Sequence, residues 1–166
     1  WVDDKKDPGI WAIVDDGCNS DCHGEAWRHN ANEKLRGRGF RTVLTSLKKT
    51  SFKGLGQKST NGKYMLPLAL KREESRTVLP GVIMSHEMAG SEHPLLLSQA
   101  TQARLGFTKN MRNGTIQMDD YNGEHLEVVR QVGTGLYMVR IDHVFEENFW
   151  NTGGARLLIQ QQRQDQ

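Results

Sequence analysis

The sequence has 166 residues, which is enough for one domain with a buried core. It is 36% hydrophobic and 25% charged, and 22 basic against 20 acidic residues leave a net charge of +2. The basic residues are scattered, which argues against a nucleic-acid partner, and apolar runs such as Leu95–Leu97 are too short to span a bilayer. No secretory signal is visible and the first residue is Trp1, so the sequence leaves the compartment open.

Seven stretches have the residue types and the alternation of β-strands. They are residues 10–14, 42–47, 63–70, 76–84, 115–118, 126–132 and 136–144. Asn-Gly pairs at residues 61–62, 113–114 and 122–123 are typical of two-residue hairpin turns. This pattern predicts a mainly β, mostly antiparallel domain.

Two stretches have helical patterns. Residues 25–36 carry apolar side chains at every fourth position and are followed by a glycine: Trp27, Ala31, Leu35 and Gly37. Residues 99–105 follow Ser98, a good N-cap, and precede Gly106, which suits the position after a helix. Residues 160–166 are Gln-rich and have the composition of a tail, so we expect them to need a partner surface if they are ordered.

The cysteines, Cys18 and Cys22, allow three interpretations. Two reduced thiols are favoured, because a domain of this size does not need the single disulfide that can be drawn between them. A zinc site with His23 and His29 lacks the usual second pair of ligands, so we expect no metal.

The strongest chemical signal lies in residues 11–18, where a hydrophobic strand leads directly into Asp15, Asp16 and Gly17. The strand supplies rigidity, and the glycine lets the backbone turn closely beside a carboxylate. A carboxylate at the end of a buried strand is costly unless it is hydrogen-bonded or functional. A plain turn after a strand is the alternative explanation.

His86 and His93 are predicted to lie in a loop with structural or surface roles, and no Ser/His/Asp arrangement stands out.

A glycine-rich segment follows, in which residues 54–57 are Gly54, Leu55, Gly56 and Gln57. It predicts a mobile hairpin that reaches Gly62. A phosphate-binding loop is disfavoured, because the Gly-Lys-Ser/Thr ending and a preceding parallel strand are both lacking.

Taken in order, these motifs resemble the retroviral-like aspartic proteases, or retropepsins. The similarity is nearest to retrotransposon proteases and to the retropepsin-like domain of ubiquitin-shuttle DNA-damage-inducible proteins. Residues 13–18 stand at the family's hydrophobic run into Asp-Thr/Ser-Gly, and the glycines at 54, 56 and 62 match its flap. Residues 96–98 and 105–106 match its closing hydrophobic pair and the helix ending in Leu-Gly. The resemblance covers residues 9–130, and the string also resembles polyprotein segments of retrotransposon-like elements from unicellular algae, dinoflagellates in particular.

The resemblance implies a fold, a domain division and an activity. The fold would be a mainly β, closed barrel of the retropepsin-like acid-protease type with one or two short helices. Residues 1–135 would form the protease domain, and residues 136–166 a C-terminal strand with a Gln-rich extension. The activity would be that of an aspartic endopeptidase on polypeptide substrates, without a cofactor, as a homodimer with one catalytic aspartate per chain.

The resemblance also assigns roles to residues. Asp15 would be the catalytic group, with Asp16 and Gly17 in its loop, and residues 54–57 would bind substrate as a flap that is more mobile than residues 10–14. Two Asp15 carboxylates at a two-fold axis would share one proton, so that one acts as general base on a water and the other polarises the peptide carbonyl.

Two residues depart from the family pattern and open a second hypothesis. Asp16 replaces the Thr or Ser whose hydroxyl bonds across the dimer, and Ser98 replaces a glycine. We expect Asp16 and its symmetry mate to add two carboxylates near the two Asp15 side chains. This would raise the proton affinity of the Asp15 pair or weaken the dimer. The alternative function is therefore a catalytically impaired dimerisation or docking module in a larger assembly, with other protein subunits bound through the C-terminal segment.

Overall fold

The computed structural model describes residues 1–47, 60–145 and 162. Within them the chain is mainly β. The strands are β1 Trp11–Val14, β2 Cys22–Gly24, β3 Val43–Ser46, β4 Thr60–Lys71, β5 Val78–Met88, β6 Leu95–Leu97, β7 Phe107–Asn110, β8 Thr115–Met118, β9 Glu124–Leu126, β10 Val128–Arg130 and β11 Tyr137–Arg140. The helices are α1 Glu25–Arg36 and α2 Gln99–Arg104, with 3-10 turns at Asp119–Tyr121 and His143–Phe145.

The larger sheet has eight strands in the order β10-β11-β1-β6-β2-β5-β4-β3, and β7, β8 and β9 form a second sheet. The strands of the larger sheet pair antiparallel, as predicted, except at the centre of the sheet. There β1 runs parallel to β6, and β2 runs parallel to β5. The strand pairing of the described residues does not close the larger sheet into the expected barrel. One isolated bridge between Ala69 and Asp142 connects β4 with the segment that follows β11, where the Ala69 amide donates to the Ile141 carbonyl over 2.9 Å.

Both predicted helices are confirmed, although Gly37 at the end of α1 has φ −60° and not the left-handed conformation that favours a glycine after a helix. In α1, Trp27, Ala31 and Leu35 are buried against the sheet, as their spacing predicted. In α2, the Ser98 side chain accepts a hydrogen bond from the third helical amide, and Gly106 lies beyond the end with φ +70°.

The prediction of a turn at residues 61–62 is wrong, because both residues lie inside β4. Gly62 has φ +112°, and the register with β5 shifts between Thr60 and Lys63, so the glycine serves a bulge rather than a hairpin turn. The other two Asn-Gly pairs do lie in turns, although the connections are longer than the predicted two residues. Residues 111–114 join β7 to β8, where Gly114 has φ +65°, and residues 119–123 lie between β8 and β9, where Asn122 has φ +59°.

Two apolar clusters hold the described elements together. The larger one joins α1 to the larger sheet and also contains Ile116, Met118 and Leu126 of the smaller sheet. The smaller one surrounds the cysteines and consists of Trp11, Ile13, Cys18, Cys22, Met88, Leu96 and Met138. Strand β1 contributes side chains to both clusters, so the segment that ends at Asp15 is packed on both faces.

The C-terminal part divides differently from the single strand predicted at residues 136–144. Strand β11 occupies Tyr137–Arg140 between β1 and β10, and a 3-10 turn follows it. Gln162 is buried, and its side-chain oxygen accepts from the Arg41 amide over 2.8 Å. The division after residue 135 stays a prediction. No helix in the described part of the chain is long and apolar enough to cross a membrane.

Candidate active site

Asp15 is fixed by its backbone at the end of β1. Val14 pairs with Leu97 of the parallel neighbour β6, and the Asp15 amide extends the pairing by donating to the Leu97 carbonyl over 3.0 Å. The Gln102 side chain donates to the same carbonyl over 2.9 Å. The site of the predicted carboxylate is therefore tied to both β6 and α2.

The Asp15 carboxylate is oriented by the glycine that the motif requires. The Gly17 amide donates to Asp15 Oδ1 over 2.9 Å. A Cβ at Gly17 would lie only 3.3 Å from that oxygen, which is tighter than ordinary contact, so a glycine suits this approach. Asp15 is partly exposed, and its carboxylate is thus positioned yet reachable from solvent.

Asp16 is compensated by a lysine of its own chain. The Lys109 ammonium on β7 lies 2.6 Å from Asp16 Oδ1, and the Asp16 side chain is 57% exposed. The hydrogen bond from Lys109 and the lysine charge lower the pKa of Asp16, with a further contribution from Gln102, although partial burial opposes them. Asp16 is therefore an ion-paired carboxylate.

Ser98 and Asp21 join the loop after β1 to the start of α2. The Ser98 amide donates to Asp21 Oδ1 over 2.8 Å, and the Thr101 hydroxyl donates to Asp21 Oδ2 over 2.5 Å. Ser98 Oγ in turn accepts from the Thr101 amide over 3.3 Å. All three residues are buried. Ser98, where the resemblance leads us to expect a glycine, thus serves as a helix cap.

The cysteines are reduced, and their sulfur atoms lie 3.5 Å apart. Zinc is not supported by the geometry, because the His23 ring faces Ser85 and Glu87 rather than the thiols. Across residues 1–47, 60–145 and 162, no group of three or more His, Cys, Asp or Glu side chains is arranged to hold a metal ion.

A buried chain of hydrogen-bonded polar side chains, which the sequence pattern does not predict, connects β5 with β2. His23 Nδ1 lies 2.7 Å from Ser85 Oγ, and His23 Nε2 lies 3.3 Å from Glu87 Oε1. The Ser-His-acid order is that of a nucleophilic triad. However, Ser85 and His23 are 0% exposed and Glu87 is 1% exposed, so a substrate has no access to this serine. The arrangement is structural.

The Glu87 carboxylate is hydrogen-bonded to residues of three elements, β2, α1 and β4. Arg28 of α1 donates to Oε1, and Asn61 of β4 donates to Oε2 over 3.1 Å. Burial alone would raise the pKa of Glu87, but the hydrogen bonds from His23, Arg28 and Asn61 outweigh it and hold the pKa at about 2. Burial lowers the pKa of His23, so this ring is neutral at pH 7.

The strand pairing also corrects one prediction and explains the miss. His86 lies in β5 and not in a loop. Its neighbours Ser85 and Glu87 stand on the same strand face as the buried Ile83, but polar residues at this spacing usually face solvent, so the sequence did not mark them as buried. No local signal marks Lys109, Gln102 or Asp21 either, because their roles arise from contacts distant in sequence.

The predicted flap residues Gly54, Leu55, Gly56 and Gln57 lie outside the described residues. Two clefts within the described part do not include Asp15. One of about 420 Å³ is lined by Lys71, Glu73, Arg76, Glu127, Arg140 and His143. The other, of about 290 Å³, is lined by Trp1, Arg112, Asn113, Gly114, Val128, Val129, Arg130 and Tyr137. The predicted catalytic carboxylate of Asp15 therefore lines neither of these clefts.

Comparisons with known proteins yield a distant structural likeness. No family model matches the chain, and no curated protein matches it. Among solved structures, the chain is similar to the retroviral protease-like domain of Ddi1 from Leishmania major, with 14% sequence identity and a TM-score of 0.41. That similarity covers 69% of this chain and 80% of the other. A likeness this loose assigns no roles to residues, which rest on the geometry above.

Proposed function

We propose that the chain is a retropepsin-like aspartic endopeptidase that acts as a homodimer, with Asp15 as the catalytic carboxylate of each protomer. The observation that carries the proposal is the setting of Asp15. It is held at the end of a strand packed on both faces, is partly exposed, and is oriented by the Gly17 amide. A carboxylate needs such rigid placement to activate a water.

One protomer supplies one such carboxylate, so catalysis requires a second copy. A closed two-fold dimer is the common solution, and it would bring two Asp15 side chains together. At a separation near 3 Å the two carboxylates cannot both ionise, and they would titrate as a unit that shares one proton. Residues 54–57 are proposed to cover the bound polypeptide.

The test is cleavage of a peptide library from about pH 4 to pH 7, where a shared proton is retained at the acidic end. Asp15→Asn is nearly isosteric and should lower the cleavage rate by about 10² to 10⁴-fold. Asp120→Asn is the matched control, because Asp120 is an exposed carboxylate in a 3-10 turn and should leave the rate unchanged. A statine-type transition-state mimic should inhibit the wild type. Cleavage by Asp15→Asn at the wild-type rate overturns the aspartic mechanism.

A second function is favoured by the ion pair of Asp16 with Lys109. In the family, a hydroxyl at this position is expected to bond across the dimer, whereas this carboxylate is engaged within its own chain. The chain would then be a dimerisation or docking module without turnover, with other subunits bound through the C-terminal segment beyond β11, because β11 itself lies buried between β1 and β10. Asp16→Thr decides between the two functions. Cleavage that is equal to or greater than wild type supports the peptidase, and no cleavage by any form supports the module.

The oligomeric state is measured separately. Sedimentation at micromolar concentration should give a dimer under both functions, and a protein that stays monomeric removes the support for a shared site. The mobile-element origin rests on the resemblance of the sequence string alone.

A further inference from the structure

The thiols of Cys18 and Cys22 face each other directly behind the candidate active loop. Their sulfur atoms are 3.5 Å apart, and Cys18 follows Asp15 by three residues. Cys22 belongs to β2 and pairs with Leu96 on one side and His86 on the other. One thiol therefore lies in a loop, and the other is fixed at the middle of the sheet.

The apolar surroundings of the two sulfur atoms favour a disulfide bond, which is less polar than two thiols. Both side chains belong to the smaller apolar cluster, with Cys18 7% exposed and Cys22 0% exposed. The Cys18 thiol donates to the Ser20 carbonyl over 2.8 Å. A disulfide has a sulfur separation of about 2.05 Å, so the sulfurs must approach by roughly 1.5 Å. Cys18 lies outside any strand, and its loop can supply this movement.

We propose that Cys18 and Cys22 form a redox-modifiable pair, which a peroxide oxidises to an intrachain disulfide and a dithiol reduces again. The Cys18 thiol gives up its proton, and the thiolate attacks one peroxide oxygen and becomes a sulfenic acid. The other oxygen leaves as hydroxide, which takes up that proton and becomes water. The Cys22 sulfur then attacks Cys18 Sγ, and the sulfenic hydroxyl leaves as a second water with the Cys22 proton. Two thiols and one peroxide thus give one disulfide and two waters.

The two sulfurs have distinct roles in this reaction. The hydrogen bond with Cys22 lowers the pKa of Cys18 to about 7, although burial and the charges of Asp15 and Asp21 oppose it. The same hydrogen bond, together with burial, raises the pKa of Cys22. Cys18 also lies in a loop and is 7% exposed, whereas Cys22 lies within β2 and is 0% exposed, so Cys18 is the thiol that peroxide reaches and Cys22 is the resolving thiol.

The Cys18–Cys22 disulfide would make the conformation of the candidate active loop depend on the redox state of the two cysteines. It closes a ring over residues 18–22, which contains Asp21, the carboxylate that holds Ser98 and Thr101. It also fixes the end of the loop that begins at Asp15 to β2. Formation of the disulfide does not depend on the proposed peptidase activity, so the two proposals can fail separately.

The test treats the wild-type protein with hydrogen peroxide, blocks free thiols by alkylation and digests with trypsin. Cleavage after Lys6 and Arg28 gives one peptide, residues 7–28, that contains both cysteines. We expect this peptide to lose two hydrogens and to resist alkylation until a dithiol is added. Cleavage before Asp21 should leave the two halves joined. The reaction rate should rise with pH, because the thiolate is the form that attacks the peroxide.

Two variants separate the roles of the sulfurs. In Cys22→Ser, oxidation should stop at a Cys18 sulfenic acid that dimedone traps. In Cys18→Ser, oxidation of Cys22 should be slower by at least about tenfold. The proposal is overturned if the wild type remains a dithiol or if only disulfides between chains form. It is also overturned if Cys22 reacts as fast without Cys18. Amide hydrogen exchange at residues 15–17 should slow in the oxidised protein, and unchanged exchange refutes the connection to the loop.

Discussion

The Lys109 ammonium lies 2.6 Å from the Asp16 carboxylate and joins β7 to the loop that carries Asp15. From the sequence, we expect Asp16 to crowd a shared active site with negative charge. In the structure, that charge is compensated within the chain, and the pKa of Asp16 is lowered. Asp16 therefore stays ionised and adds less repulsion at a two-fold axis than an unpaired carboxylate would add.

Lys109→Met should raise the pKa of Asp16 toward its ordinary value of about 3.9, because the hydrogen bond and the lysine charge are both removed. A carbon-detected NMR titration of the Asp16 carboxyl measures this change. The free energy of unfolding should fall by less than about 1 kcal/mol, since the pair is exposed and screened by solvent. Lys5→Met, which breaks the exposed pair with Glu92, should leave the pKa of Asp16 where it was.

Sequence patterns were sufficient wherever the cause of a structure is local. The period of four in Trp27, Ala31 and Leu35 and the Ser98 cap predicted α1 and α2 closely, because both signals lie within the elements themselves. The strand that ends at Asp15 was found for the same reason.

The parts that sequence patterns missed depend on pairing between distant segments. Gly62 was assigned to a hairpin turn, yet the twelve-residue strand β4 continues through it because β5 supplies a long partner. Strands β2 and β6 have three residues each and no alternation, so the parallel pairing of β6 with β1 and of β2 with β5 became visible only in the fold. The Lys109–Asp16 contact spans 93 residues and leaves no local mark.

Gly62→Ala should destabilise the protein more than Gly39→Ala. Both glycines have positive φ, and an alanine is strained at either position by about 1 to 2 kcal/mol. At Gly62, however, a Cβ would also lie 2.3 Å from the Ser46 carbonyl oxygen, whereas nothing lies within 4 Å at Gly39. Urea unfolding of the two variants measures the difference. Equal losses would contradict the close approach of β3 to β4.

Asp21→Ala should cost about 2 to 4 kcal/mol of stability, because it leaves the buried Ser98 amide and Thr101 hydroxyl without their acceptor. Asp21→Asn should cost less, since its oxygen can still accept from the Ser98 amide and its NH₂ can donate to the Thr101 hydroxyl. Chemical unfolding of the two variants gives the comparison. If both lose the same free energy, the two hydrogen bonds are not what holds this loop to α2.

Glu87→Ala should be among the most damaging single changes outside the apolar core, at about 3 to 5 kcal/mol. It removes the acceptor of His23, Arg28 and Asn61 and leaves a partly buried guanidinium without its carboxylate. Glu33→Ala breaks an exposed ion pair on α1 and serves as the control, with an effect within about 0.5 kcal/mol. A small effect of Glu87→Ala would mean that the buried chain contributes little.

The same buried chain should make stability fall in acid. The pKa of folded Glu87 is about 2, below the unfolded value of about 4.3, so its contribution is present above pH 4.3 and is lost as the pH falls toward 2. The pKa of His23 is lowered by burial, and Glu87 opposes this shift while Arg28 and His93 add to it. Its contribution is present above the unfolded pKa of about 6.5 and is lost below it, because the unfolded chain then binds a proton that folded His23 resists.

His23→Gln tests the upper part of this pH range. The free energy of unfolding, measured in urea from about pH 7 to pH 5, should decline with a slope that is shallower than wild type by up to about 1.4 kcal/mol per pH unit. His29→Gln, at an exposed position on α1, should keep the wild-type slope. A slope unchanged by His23→Gln would show that this ring is not the group concerned. If the decline is confirmed, two requirements oppose each other. The shared proton of a peptidase dyad is retained at acidic pH, whereas the neutral buried His23 stabilises the fold only at higher pH. Cleavage should therefore reach its maximum at mildly acidic pH.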